Sequence, residues 1–226
     1  MCLHSFFGDV VFRLENSFPK VSEITREKID TSKEPLQTDY TGKEYIRAIG
    51  NRNSYALAPQ ANYSISALIV AKNSNFWFRD IMRSQFDDVC LIDLGFVWGE
   101  LAKNKKLLYS NFKFKSKKTL GQARVLSWKY KKPYDELSWS GDYAASHISH
   151  THIIPANSNV MGAILSANKN HIIKLDGYLV DIYTEKSQLI AKTSLSRTDT
   201  NATSRGYGAC EVMYVNSVQI GNKIYR

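Results

Sequence analysis

The sequence predicts a mainly β domain, an antiparallel barrel or sandwich with two short helices, and three observations carry that expectation. Tyrosine (13) and phenylalanine (10) are plentiful while proline (5) is scarce, which suits pleated sheet better than a helical bundle. Stretches of period-two alternation recur, and no regular strand–helix–strand succession accompanies them. At 226 residues, with 43% hydrophobic and 23% charged, the chain is long enough to bury a core without staples.

Taken in order, residues 1–45 read as a loosely ordered arm and 46–226 as one β-rich domain. Leu3 to Phe12 forms a short apolar patch broken by His4, Gly8 and Asp9. It lacks the basic flank and small-residue cleavage site of a signal peptide. No stretch reaches the roughly 18 apolar residues of a membrane span, so no transmembrane segment is expected. As written the chain reads as cytoplasmic, and as envelope-associated if an anchor precedes it. Tyr55, Leu57, Tyr63, Ile65, Ala67 and Ile69 share one parity, with Pro59 expected to break two strands apart. A short helix is expected over 75–86, capped by Ser74 or Asn75. The nearly continuous apolar run from Val89 to Gly99 reads as a strand buried on both faces. Asp93 is the anomaly inside it, because a buried carboxylate needs hydrogen bonds, a partner or a proton. Asn157 or Ser158 caps a helix over 159–167, and strands follow at 171–183, 189–197 and 209–220.

The formal charge of +9 is local. Eleven basic residues and no acidic one lie between Lys103 and Lys132, leaving 19 basic against 21 acidic residues elsewhere. Leu108, Ser110, Phe112 and Phe114 are expected on one face of a strand, with Tyr109, Lys113, Lys115 and Lys117 on the other. A turn at 119–122 and a second strand over 123–130 complete a lysine-coated hairpin. Such a surface suits a polyanion or an anionic membrane surface. If Phe112, Phe114, Trp128 and Tyr130 faced outwards they would offer stacking platforms for bases. Alternation instead points the two phenylalanines inwards and leaves the lysines to solvate an edge.

Two constellations would carry chemistry. His147, His150 and His152 fall within six residues, and imidazole is a common metal ligand and general base. In a strand His150 and His152 share a face and would be the metal candidates, given a third ligand from elsewhere, but ordinary hydrogen-bonded histidines with no metal are the expected reading. The second constellation is Arg197 and Asp199, then Cys210 and Glu211. Cys210 shares parity with Val212 and reads as a core thiol, becoming a nucleophile only with an adjacent histidine such as His152. Cys2, Cys90 and Cys210 are odd in number and contain no CxxC, which leaves a Cys90–Cys210 disulfide to geometry. The chain contains no GxSxG, GxxxxGK[ST], GxGxxG, HExxH or EF-hand motif.

The succession DLGFVWG (93–99), SHISHTHIIPAN (146–157), LDGYLVDIY (175–183) and SLSRTDT…GYGACEVMYV (194–215) resembles a family of bacterial β-rich proteins, often envelope-anchored, with no established activity. The resemblance implies that Asp93, Trp98, Gly99, His147, His152, Arg197, Asp199, Cys210 and Glu211 are the positions that matter. This chain departs from the pattern at His150, where the family carries asparagine, and in a longer loop over 200–206. The expected function is a non-catalytic binding or accessory domain, envelope-associated or contacting a polyanionic partner, with no cofactor. The alternatives are a hydrolase-like enzyme using His147 or His152 with Asp93, Asp199 or Cys210, and a nucleic-acid binder using Lys103–Lys132. Trp98, Arg197, Glu211, Lys113, Lys115 and Lys117 are the candidate binding residues.

Overall fold

Three short strands, β1 (Glu23–Ile24), β2 (Leu36–Asp39) and β3 (Ile46–Ile49), precede the long strand β4 (Ser54–Ser74). Helix α1 (Gln85–Val89) leads into β5 (Ile92–Val97), and α2 (Glu100–Lys103) and α3 (Lys105–Asn111) follow. The hairpin β6 (Phe112–Lys118) and β7 (Arg124–Tyr130) comes next, then α4 (Gly141–Ser146), β8 (Ile148–Pro155) and α5 (Ser158–Ser166). The chain then runs through β9 (Ile172–Thr184), β10 (Leu189–Ala191), β11 (Glu211–Ile220) and β12 (Lys223–Tyr225). This computed structural model describes residues 18–74, 84–118, 124–196 and 210–226, with backbone alone at 117, 118 and 124.

The pairings form a ring. β4 pairs with β5, β5 with β8, β8 with β11, β11 with β9, and β9 returns to β4. The protein is therefore mainly β, as the composition predicted, and its pairings close a five-stranded barrel. One pairing departs from the expected antiparallel pattern: β8 and β11 run parallel. The described residues also hold five short α-helices rather than two. In chain order the ring strands neighbour one another as 1-2-3-5-4-1, with α5 between the third and fourth. That strand order is like that of an OB-type barrel, here with every neighbouring pair hydrogen-bonded. β2, β3, β10, β12 and β1 extend its edges.

β4 serves this geometry because it bends. Its register against β9 shifts between Pro59 and Ala61, and against β5 between Ile69 and Ala71. Pro59 thus marks a bulge within one strand rather than a break between two. Beyond the bulge, Ala61, Tyr63, Ile65, Ala67 and Ile69 join Ile92, Leu94, Phe96, Met213 and Val215 in the largest apolar cluster. Val160, Met161, Ala163 and Ile164 of α5 plug it, and the Asn157 side chain caps that helix by accepting from the Val160 N–H.

The opposite face of β5, β8 and β11 carries two smaller clusters. One holds Val97, Ile148, Phe112 and Phe114. The other holds Cys90, Ile154, Leu57 and Val212. The first brings in the hairpin, where Phe112 and Phe114 are buried while Lys113 and Lys115 stay exposed. Leu108 and Ser110 depart from the expected strand. They lie in α3, which Asn104 starts by accepting from the Leu107 N–H, and extended structure begins only at Phe112. The strand expected over 189–197 reduces to Leu189–Ala191. The helix expected over 75–86 falls mostly outside the described residues, as does the 119–122 turn; helix begins at Gln85, with Ser84 as its cap. Within the expected arm, β1 pairs with β12 and β2 with β4.

Candidate metal centre

Alternation along β8 decides which histidines meet. Ser149, Thr151 and Ile153 share the face of the α5-plugged interior, whereas Ile148, His150, His152 and Ile154 share the other. Antiparallel register sets Asp93 of β5 opposite His152 and Gly95 opposite His150. Parallel register brings the start of β11 alongside, with Val212 beside His152, so that Cys210 reaches the same face.

The result is a four-residue constellation between the two smaller clusters. His152 Nδ1 lies 2.7 Å from Asp93 Oδ1, and both side chains are almost fully buried. His150 Nδ1 lies 3.3 Å from Cys210 Sγ. The two imidazoles meet edge to face with centroids 4.7 Å apart. One donor atom each from His150, His152 and Cys210 falls within 4.8 Å of the others. No disulfide joins Cys90 and Cys210.

The surroundings hold these groups in place. Phe86 of α1 packs its ring edge to face with His152 at 4.8 Å. α1 is itself anchored by Asp88, whose buried carboxylate accepts hydrogen bonds from the Asn53 N–H and from the Tyr55 hydroxyl at 2.8 Å. Burial, and then the hydrogen bond and charge of Asp88, push the Tyr55 phenol well above its ordinary range. On the other side, Gly95 makes room for the hairpin: a Cβ there would stand 2.8 Å from Leu126 Cδ1. The Cys210 backbone is tied at its carbonyl by the Ser194 N–H, and Val212, two residues on, donates its N–H to Thr193 Oγ1.

Other candidates go elsewhere. His147 caps the end of α4 just before β8, five residues ahead of His152. It stacks on Tyr143, approaches Trp98 with centroids 5.9 Å apart, and its Nδ1 contacts the Tyr143 carbonyl at 2.9 Å. His147 thus makes its contacts with Tyr143 and Trp98, and the His150–His152–Cys210 cluster forms without it. Glu211, adjacent to Cys210 in sequence, faces the opposite side of the sheet, fully buried, where Thr151 Oγ1 contacts its Oε2 at 3.4 Å. Lys113 and Lys115 lie on the hairpin, away from the constellation. Arg197 and Asp199 lie outside the described residues, as does the side chain of Lys117. Sequence alternation paired His150 with His152, but nothing local announced that β11 would run parallel to β8 and deliver Cys210.

No protein-family model, curated protein sequence or solved structure matches this chain. No helix among the described residues is long and apolar enough to cross a membrane.

Proposed function

We propose that this domain binds a borderline-soft divalent cation of the zinc class through His150, His152 and Cys210. The convergence of two imidazoles and one thiol within 4.8 Å carries the reading. Two ligands of a tetrahedral zinc, one nitrogen and one sulfur, stand about 3.6 Å apart given the usual bond lengths. The His150 and Cys210 atoms, at 3.3 Å, are close to that spacing. Asp93 supports the assignment. If Nδ1–H of His152 donates to the carboxylate, Nε2 is left as the coordinating atom, the carboxylate–histidine–metal relation of many zinc sites. Three protein ligands leave a fourth position for water or substrate. The outer face of the second and third ring strands, where this constellation lies, is also where OB-type barrels bind ligands. That correspondence is fold-level analogy alone.

Cobalt(II) titration of the purified chain tests this directly. Saturation at one ion per chain, with thiolate-to-cobalt absorption that vanishes in Cys210→Ser, is the expected result. An absent thiolate band, or one that survives that substitution, would refute the proposal.

A second reading rests on the same 3.3 Å contact: Cys210 as a nucleophile with His150 as its base, in a hydrolase-like enzyme. The carboxylate argues against it, because in such a relay the acid orients the histidine that takes the proton. Here Asp93 holds His152 instead. Rapid alkylation of Cys210 by iodoacetamide that zinc does not block would favour the nucleophile; protection by zinc favours the metal centre.

A further inference from the structure

A second feature lies at the end of β4, on the face that carries α5. Lys72 is half-buried, and its ammonium donates to the carbonyls of Ile164 (3.2 Å), Leu165 (2.7 Å) and Ala167 (2.5 Å), at the C-terminus of α5 and its cap. All three of its hydrogens are therefore committed to neutral acceptors, and among the described residues no carboxylate pairs with the charge. Burial pushes its pKa down.

This ammonium forms one wall of an open groove of about 620 Å³ between α5 and the hairpin. Lys115 of β6 and Lys169, which follows α5, stand on its two sides, and Lys169 is steadied over the Tyr109 ring at 4.5 Å. Ser116 Oγ, also in the lining, is buried with no hydrogen-bond partner among the described residues. Phe114 and Leu165 supply apolar surface. The described lining contains no acidic side chain. The volume falls within the roughly 300–1,000 Å³ of small-molecule sites.

We infer that this groove binds a small phosphorylated molecule. Lys115, Lys169 and the Ser116 hydroxyl donate to the phosphate, Lys72 contributes charge from beneath, and Phe114 and Leu165 meet the organic body. Charge-assisted hydrogen bonds from two ammonium groups, with a third cation too committed to donate, suit a compact dianion. They suit an extended polymer less well, because Phe114 is the one aromatic ring in the described lining and Phe112 is buried, so successive bases find no run of platforms to stack on. The site is independent of the proposed metal centre, sharing no residue with it.

Isothermal titration of the full chain with adenosine monophosphate, inorganic phosphate and single-stranded DNA tests the inference. The expected result is saturable one-to-one binding of the monophosphate, tighter than that of inorganic phosphate. The double variant Lys115→Gln/Lys169→Gln should weaken it at least about tenfold, a loss comparable to one charge-assisted hydrogen bond or more. Both lysines are exposed, so the variant's urea midpoint should match that of the parent protein. Lys186→Gln/Lys223→Gln removes the same charge from exposed positions outside the groove lining and should change the affinity less than about twofold. Three outcomes overturn the inference: no saturable monophosphate binding, equal losses in the two double variants, or DNA binding without monophosphate binding. Inorganic phosphate binding as tightly as the ester would overturn the role given to Phe114 and Leu165.

Discussion

Asp93 shows how one side chain converts an anomaly of sequence into a constraint on chemistry. A carboxylate in the middle of a strand with every residue buried would be costly alone, and the structure resolves the cost with an imidazole 2.7 Å away. If Nδ1–H donates in that contact, Nε2 is the nitrogen of His152 left for a metal. Asp93→Asn keeps the shape of the side chain but removes the charge. It should therefore lower zinc affinity by about 10- to 100-fold, the usual loss when a supporting carboxylate is removed. Competition against a chromophoric chelator measures this; an unchanged affinity would mean that Asp93 serves the fold alone. His150 belongs to the same scale. Its Nδ1 meets Cys210 Sγ at 3.3 Å, so it joins the thiol to the Asp93–His152 pair.

At the scale of elements, the hairpin β6–β7 matters most, because it walls the constellation through one contact. Leu126 occupies the space a side chain at position 95 would take, and Gly95 faces His150 across the β5–β8 pair. Gly95→Ala should destabilise the domain by about 1–3 kcal/mol through overpacking. Combined with Leu126→Ala the loss should be smaller than the sum of the two single losses, because the shortened leucine vacates the site. Urea unfolding of the four proteins checks this, and strict additivity would count against the contact. The elements also show which features of this region were legible in advance. The period-two pattern at Phe112 and Phe114 was real, and so was the apolar run around Asp93. The same alternation misled at Leu108, where an asparagine cap, a local hydrogen bond invisible to hydrophobic periodicity, turned the segment into helix. Cys210 was legible as a residue sharing parity with Val212, but its meeting with His150 depends on a strand pairing across 60 residues. No local pattern encodes such a pairing.

At the scale of the whole molecule, closure of the ring depends on the seam between β9 and β11. Gly177 sits there so tightly that a Cβ would fall 1.9 Å from the Tyr214 carbonyl oxygen, next to the register shift between Val215 and Ser217. Gly177→Ala should cost about 3 kcal/mol or more, because backbone rather than a flexible side chain has to move. A loss under about 1 kcal/mol in denaturant unfolding would show that the seam yields easily. The β8–β11 pairing has a temporal consequence as well. During synthesis His150 and His152 emerge well before Cys210, and β11 is the final ring strand in chain order. Two imidazoles on an open edge hold a cation weakly; the thiol arrives only when the barrel shuts. Firm metal retention would then mark a finished fold, so that a chain stalled before β11 docks releases its ion and a completed one keeps it.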